Sequence, residues 1–239
     1  MKIKVVSLID SKNRLSFSSR FKSLEFDFFD AFLGIKHRDS FAEELFISKY
    51  NRSARDGEIG CTLSHYEIIK ELNRSKFDSL LILEDDAIPT TEFFEFYENV
   101  KFKNDKPTII LLGHSKTRKK DLWLQRLKQP LTRVITIGGY DFGINNRITE
   151  CGTVSYIINK KAAELLSSYD APYWLADDWI FFRENKIDIY HPIQPLIYED
   201  LTTISTTGNA INLNHSIFNK TLLQIGSIIK SRLYFYFKS

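Results

Sequence analysis

The sequence predicts an α/β domain built on a doubly wound sheet. Three observations predict it: short uninterrupted apolar runs that read as buried parallel strands, helical apolar spacing between them, and three acids placed directly after one of the runs. Ile3 to Ile9 is the first such run, bounded by Asp10-Ser11, either of which can cap a helix reaching about Ser23. Aromatic-rich Leu24 to Phe32 predicts a second strand ending near Gly34. From Asp56, read as an N-cap, a helix is marked by Glu58 in its first turn and by Ile59, Leu63, Tyr66, Ile69 and Leu72 at helical spacing. Ser79 to Leu83 then runs straight into Glu84-Asp85-Asp86, as a central parallel strand would. Thr90 or Thr91 caps the next helix, and Thr108 to Leu112 is another buried strand. After Gly113 the pattern loosens. Gly138-Gly139 and Gly143 mark a loop, Thr153 to Ile158 a strand, Lys160 to Ser168 a short helix, and Asp177-Asp178 the start of another. Asp188 to Tyr198 holds two extended pieces punctuated by Pro192 and Pro195.

At 239 residues, with 43% hydrophobic and 26% charged residues, the composition is globular and excludes bulk disorder or a fibrous protein. The formal net charge of +3 is unevenly placed: residues 1 to 200 hold 29 basic and 30 acidic groups, whereas Lys220, Lys230, Arg232 and Lys238 stand alone after Asp200. The polyanion this implies is a membrane surface rather than nucleic acid. In that tail Phe218, Leu222, Ile225, Ile229 and Leu233 recur at helical spacing beside Tyr234-Phe235-Tyr236-Phe237. The tail therefore predicts an interfacial basic amphipathic helix, the alternative being a helix docked on the domain. The expected organisation is one domain over residues 1–207 and a basic tail over 208–239. Cys61 and Cys151 lack metal or redox spacing and suit a reducing compartment as small buried residues. No signal-like or membrane-spanning run is evident, which gives an expected cytosolic location with the tail on a membrane.

Four stretches are candidates for chemistry. Glu84-Asp85-Asp86 sits where open α/β sheets bind ligands, outside the carboxyl end of a strand, and three adjacent carboxylates call for a cation. Mg²⁺ or Mn²⁺ with a nucleoside diphosphate suits such oxygen ligands; acids complementing a helix N-terminus are the bland alternative. In Gly57-Glu58-Ile59-Gly60-Cys61-Thr62-Leu63-Ser64-His65, a helix places Glu58, Thr62 and His65 on one stripe, while two first-turn glycines imply close approach of a backbone or a ligand. His65 on its own reads as a hydrogen-bonded structural histidine more readily than as a catalytic one. Tyr173-Trp174-Leu175-Ala176-Asp177-Asp178-Trp179 is an aromatic-flanked acid pair of the kind that binds sugars, or a capped helix start with core tryptophans. Residues 116 to 128, basic around Trp123, read as a loop beside an anionic ligand or as a solvated face.

The string Gly-Glu-Ile-Gly-Cys-x-x-Ser-His followed by Leu-Ile-Leu-Glu-Asp-Asp-Ala resembles the signature of glycosyltransferase family 25, the bacterial lipooligosaccharide galactosyltransferases and their relatives. Val6-Ser7-Leu8 with Asp10 and Arg14, Gly152 to Ile158 with Lys160-Lys161-Ala162, Asp178, and Pro195 with Ser205 also resemble family segments, over roughly residues 1 to 207. Ser7-Leu8-Ile9 departs from a more usual Ile-Asn-Leu. The resemblance implies a GT-A-like, single nucleotide-sugar-binding domain with a mixed, mostly parallel sheet, and an inverting, metal-dependent hexosyltransferase. It implies Asp86 as metal ligand with Glu84 reaching the metal or the ribose. Donor contacts would come from Ser7, Leu8, Asp10, Arg14, Gly57, Glu58, Gly60, Ser64, His65, Glu84 and Asp85. Asp178 is the implied base, with Asp177 second, and Tyr173, Trp174 and Trp179 flank the acceptor. The expected reaction moves galactose from UDP-galactose, with Mn²⁺ or Mg²⁺, to a terminal sugar of a lipid-linked lipooligosaccharide acceptor at the cytosolic face of a bacterial inner membrane. UDP-glucose is the rival donor. A receiver-like phosphotransfer domain fits less well because Thr108 to Gly113 ends without an acid, and a non-catalytic membrane-associated sugar- or nucleotide-binding protein is the remaining alternative.

Overall fold

A computed structural model describes residues 1–202, apart from 103, 115–118, 120–121, 124–125, 127–129 and 145–151. The expected tail helix and membrane contact over 208–239, Cys151, Ser205 and most of the basic segment, including Lys116, Arg118, Lys120 and Lys128, lie outside the described residues.

Two strands open the chain around a helix: β1 (Lys2–Ser7), α1 (Asn13–Arg20) and β2 (Asp27–Asp30). They are followed by α2 (Glu43–Tyr50), α3 (Asp56–Arg74), β3 (Ser79–Glu84), β4 (Ala87–Pro89), α4 (Thr91–Asn99) and β5 (Thr108–Leu111). The second half holds β6 (Thr132–Ile137), β7 (Tyr140–Ile144), β8 (Ser155–Asn159), α5 (Lys160–Leu166), α6 (Trp179–Glu184), β9 (Asp188–Pro192) and β10 (Ile197–Glu199). Eight strands form one sheet in the order β2-β1-β3-β8-β5-β9-β7-β6, and β10 pairs with β4 in a small second sheet. The pairings β1 with β2, β1 with β3 and β5 with β9 are parallel. β8 runs against both its neighbours and β7 against both of its own, so six of the eight strands point the same way. The sheet is thus mixed and mostly parallel in direction.

Both faces are covered, which is why the central strands are apolar without alternation. In β3, Leu80 and Ile82 join the residues that α3, α5 and α6 bury, whereas Leu81 and Leu83 join Phe17 of α1, Phe21 just after it, and Phe93 and Phe96 of α4. All five apolar positions predicted for α3 are buried. Helix α2, which no sequence signal marked, buries Phe46 in a satellite cluster with Phe41, Ile59 and Leu63.

The glycine-marked loop around 138–143 is a hairpin: Gly138 (φ 57) and Gly139 (φ 86) supply the two positive φ angles of a tight turn between β6 and β7. β6 is mostly exposed, so no buried face impressed a pattern on its sequence. Helix α3 begins at Asp56 rather than being capped by it; Arg55 holds the N-cap position and donates its backbone N–H to Glu58, at 2.9 Å. Strand two is shorter than Leu24 to Phe32, and α1 ends at Arg20 rather than near Ser23.

Candidate functional site

The register of β1 and β3 builds the site. Val6 lies opposite Glu84, so Ser7 and Asp85 leave the sheet at the same edge, and the Asp85 N–H bonds back to the Val6 carbonyl at 3.2 Å. Ser7 Oγ donates to Asp85 Oδ2 at 2.6 Å and Asn13 Nδ2 to Asp85 Oδ1 at 3.2 Å. Arg14 donates to Ser7 Oγ and to the carbonyls of Ser7 and Leu8, each at 3.1 Å, pairs with Asp30, and lies over the Phe28 ring. Ser7, Leu8, Arg14 and Asp85, all expected donor contacts, therefore tie together the first turn, β2 and β3. Asp10 stands exposed in that turn.

Asp86 has a different environment. Strand β10 pairs with β4 so that Glu199 lies opposite Ala87, and the Asp200 N–H donates to the Asp86 carbonyl at 2.9 Å. Asp86 Oδ1 is buried and accepts no hydrogen bond. Burial first, then the charges of Glu84, Glu199 and Asp85, pushes its carboxyl up to about 8. Arg20 reaches Asp200 at 3.4 Å and the Asp85 carbonyl at 3.4 Å. A buried, unsatisfied carboxylate oxygen among other carboxylates is what a hard divalent cation satisfies, and oxygen donors suit Mg²⁺ or Mn²⁺. The residues fit the implied metal, with Asp86 as its holder. Glu199 and Asp200, which the sequence reading missed, complete this rim. Their signal was an acid pair following the short apolar Ile197-Tyr198, the same arrangement as at Glu84 in a weaker form.

Glu84 faces α3. Thr153 Oγ1 donates to its Oε1 at 2.5 Å, and His65 Nε2 stands 3.5 Å from the same oxygen. Burial opposes ionisation of Glu84, but His65 and Thr153 outweigh it and hold the carboxyl below its usual range. His65 is 2% exposed and its Nδ1 lies 2.8 Å from the Tyr156 hydroxyl.

The remaining residues of the α3 motif serve packing. Gly60 is a close-approach glycine whose partner is a backbone: a Cβ there would stand 2.4 Å from the Phe32 carbonyl oxygen. Ser64 Oγ donates to the Gly60 carbonyl at 2.6 Å and accepts the Phe32 N–H at 2.9 Å. Glu58 receives both Arg52 guanidinium nitrogens at 2.8 Å, closing the helix start beside Gly57. Sequence spacing found this motif correctly as a place where something approaches closely, without showing that the 32–34 loop does so.

The acid pair divides by role. Asp178 is the N-cap of α6: its Oδ1 accepts the Phe181 N–H at 2.9 Å and its Oδ2 accepts the Tyr50 hydroxyl at 2.5 Å, with Lys49 Nζ at 3.6 Å. Asp177 turns toward the sheet edge, where its Oδ2 accepts the Gly152 N–H at 2.8 Å. Burial pushes the Asp177 carboxyl up, the Gly152 bond opposes, and Glu84 and Asp178 raise it further. Asp178, the expected base, is thus engaged through both carboxylate oxygens, by the Phe181 N–H and by Tyr50. Trp174 and Trp179, expected to flank the acceptor, are each 2% exposed, and Trp174 stacks on Phe181 with ring centroids 5.0 Å apart. Their faces are occupied by the core. Tyr173 lines an outer groove with Leu45, Lys49 and Glu184.

The chain matches the model of glycosyltransferase family 25, described as an LPS biosynthesis protein, over residues 1–181. It belongs to that family. A family 25 chain is a nucleotide-sugar glycosyltransferase, and both central motifs lie within the matched residues. No curated protein matches it in sequence. Among solved structures it is similar to the galactosyltransferase LgtC in complex with donor and acceptor sugar analogues, at 12% identity and TM-score 0.36 over 79% of this chain and 73% of that one. Mouse xyloside xylosyltransferase 1 is similar at 15% identity and TM-score 0.34, over 78% and 70% of the two chains. The inositol-1-phosphate CTP transferase from T. maritima gives 13% identity and TM-score 0.38, over 95% of each. Among the described residues of this family 25 chain, no helix is long and apolar enough to cross a membrane.

Proposed function

We propose that this family 25 glycosyltransferase transfers galactose from UDP-galactose, with inversion at the anomeric carbon, to a terminal sugar of a lipid-linked lipooligosaccharide. The observation that carries a metal-assisted transfer is Asp86, whose buried Oδ1 accepts no hydrogen bond among carboxylates that repel it. Asp86 would hold Mn²⁺ or Mg²⁺, with Glu84 steadied beside it by Thr153 and His65. When bound, such a cation offsets the negative charge that develops on the departing nucleoside diphosphate.

Inversion requires a carboxylate on the face of the sugar opposite the leaving group, where it takes the acceptor hydroxyl proton. Asp177 suits this work. It is at the same sheet edge as Thr153 and Glu84, its carboxylate is held by backbone N–H groups rather than by other side chains, and burial raises its affinity for a proton. Asp178 supports it indirectly by fixing the start of α6 and, through Tyr50, the preceding turn: the Tyr50 hydroxyl also accepts the Leu175 N–H at 3.1 Å. The cytosolic face of a bacterial inner membrane is the proposed place of work, and the basic tail the proposed contact with it. Turnover of UDP-galactose against UDP-glucose with Mn²⁺ tests the donor. Faster release of UDP from UDP-galactose supports the reading, preference for UDP-glucose moves the donor to the rival sugar, and turnover of neither with acceptor present overturns it.

A further inference from the structure

Cys61 and His65 stand one helical turn apart on α3, and the i, i+4 spacing puts their side chains on one face. Glu84 meets that face from the end of β3. A sulfur, a ring nitrogen and a carboxylate oxygen of these three residues all lie within 4.8 Å of one another. The imidazole is already aimed: Nδ1 is engaged by the Tyr156 hydroxyl at 2.8 Å, which leaves the buried Nε2 directed at Glu84 Oε1, 3.5 Å away. A second set of partners surrounds the group, since Thr153 Oγ1 donates to Glu84 at 2.5 Å and lies 3.9 Å from Cys61 Sγ. Metal-bound histidines usually have their other ring nitrogen held in this way, and metal-bound carboxylates are usually hydrogen-bonded as Glu84 is.

We propose that Cys61, His65 and Glu84 form a site for a thiophilic divalent cation, with Zn²⁺ as the natural occupant. The donor set decides the class. One thiolate, one imidazole and one carboxylate are ligands of borderline ions such as Zn²⁺ or Co²⁺, whereas Mg²⁺ and Mn²⁺ prefer the all-oxygen surroundings of Asp86. Thiolate and carboxylate together neutralise a 2+ ion, the thiol proton leaving to solvent. A tetrahedral zinc has bonds of about 2.0–2.3 Å and spaces its ligands roughly 3.5 Å apart, so binding draws the three groups together by about an ångström and leaves a fourth position for water. Because Glu84 borders both places, a cation held here pulls that carboxylate toward α3 and away from Asp86.

The test is titration of the full-length protein with Co²⁺, followed by absorption. A thiolate bound to Co²⁺ gives a near-ultraviolet charge-transfer band, and the band is expected in the wild type, in Cys151→Ser and in Asp86→Asn. Excess Zn²⁺ should bleach it. It should vanish in Cys61→Ser and need at least tenfold more Co²⁺ in His65→Gln, with circular dichroism confirming that each variant is folded. Should Cys61→Ser fail to fold, X-ray absorption of the Zn²⁺-loaded wild type replaces it, with one sulfur in the zinc shell expected. A wild type without the band, a band that survives in Cys61→Ser or is lost in Cys151→Ser, or a zinc shell without sulfur overturns the proposal. Retention of the band in Asp86→Asn alongside lost Mn²⁺ binding separates this site from the one proposed for the donor.

Discussion

Asp86→Asn should make the metal-free protein more stable while removing its response to Mn²⁺, and the pH dependence of the gain is the telling part. The Asp86 carboxyl is pushed up to about 8 by burial and by Glu84, Glu199 and Asp85. In the unfolded chain it ionises near 4. Between those values the unfolded state binds fewer protons than the folded state, so the metal-free wild type loses stability as pH rises from about 4 to 8. At pH 7 the full difference of about three pH units corresponds to roughly 4 kcal/mol, a ceiling that relaxation and the neighbouring acids reduce; about 2 kcal/mol is expected. Asparagine does not titrate. In a protein of this size that gain is a rise of about 4–8 °C in Tm at pH 7–8, shrinking toward zero near pH 4. Thermal melts in chelator across pH 4–8 measure it. Adding Mn²⁺ at about 100 times its Kd should then raise wild-type stability by about 2.7 kcal/mol and leave the variant unchanged. A variant less stable than wild type at pH 7–8 in chelator, or a wild type whose stability is flat between pH 5 and 8, would refute the reasoning.

Asp177→Asn should lower transfer by at least about 100-fold while UDP binding, read by calorimetry, stays within a few-fold. Asp178→Ala should instead remove an N-cap, lowering stability by about 1–2 kcal/mol in urea melts and leaving kcat within about tenfold; the reverse pattern would return the base to Asp178. Gly60→Ala forces a Cβ to 2.4 Å from the Phe32 carbonyl oxygen, so the denaturation midpoint should drop markedly even though alanine is the better helix former. Trp174→Ala should cost about 3–5 kcal/mol as a core deletion, while the milder Trp174→Phe leaves the acceptor KM within about twofold. A large KM rise in Trp174→Phe at unchanged stability would restore it to the acceptor site.

What the sequence determined by itself is local and periodic. Apolar runs long enough to be buried on both faces marked β1, β3 and β5, helical spacing marked α3, and the acids after β3 marked the sheet edge where the site lies. The exposed strand β6 left no pattern because nothing packs on it. The antiparallel direction of β8 was equally illegible, since a strand covered on both faces has the same composition whichever way it runs. The roles of the singled-out side chains were decided by tertiary structure. Asp177 and Asp178 are identical neighbours in sequence, and only the position of Tyr50, Lys49 and the Phe181 N–H makes one a cap and leaves the other at the site. Likewise Gly60 and Ser64 belong to the packing of the 32–34 loop, and Asp86 owes its raised carboxyl first to burial, then to its neighbour Glu84 and to Glu199, more than a hundred residues away. Burial and charge depend on what the chain brings back from a distance, and no local pattern records that.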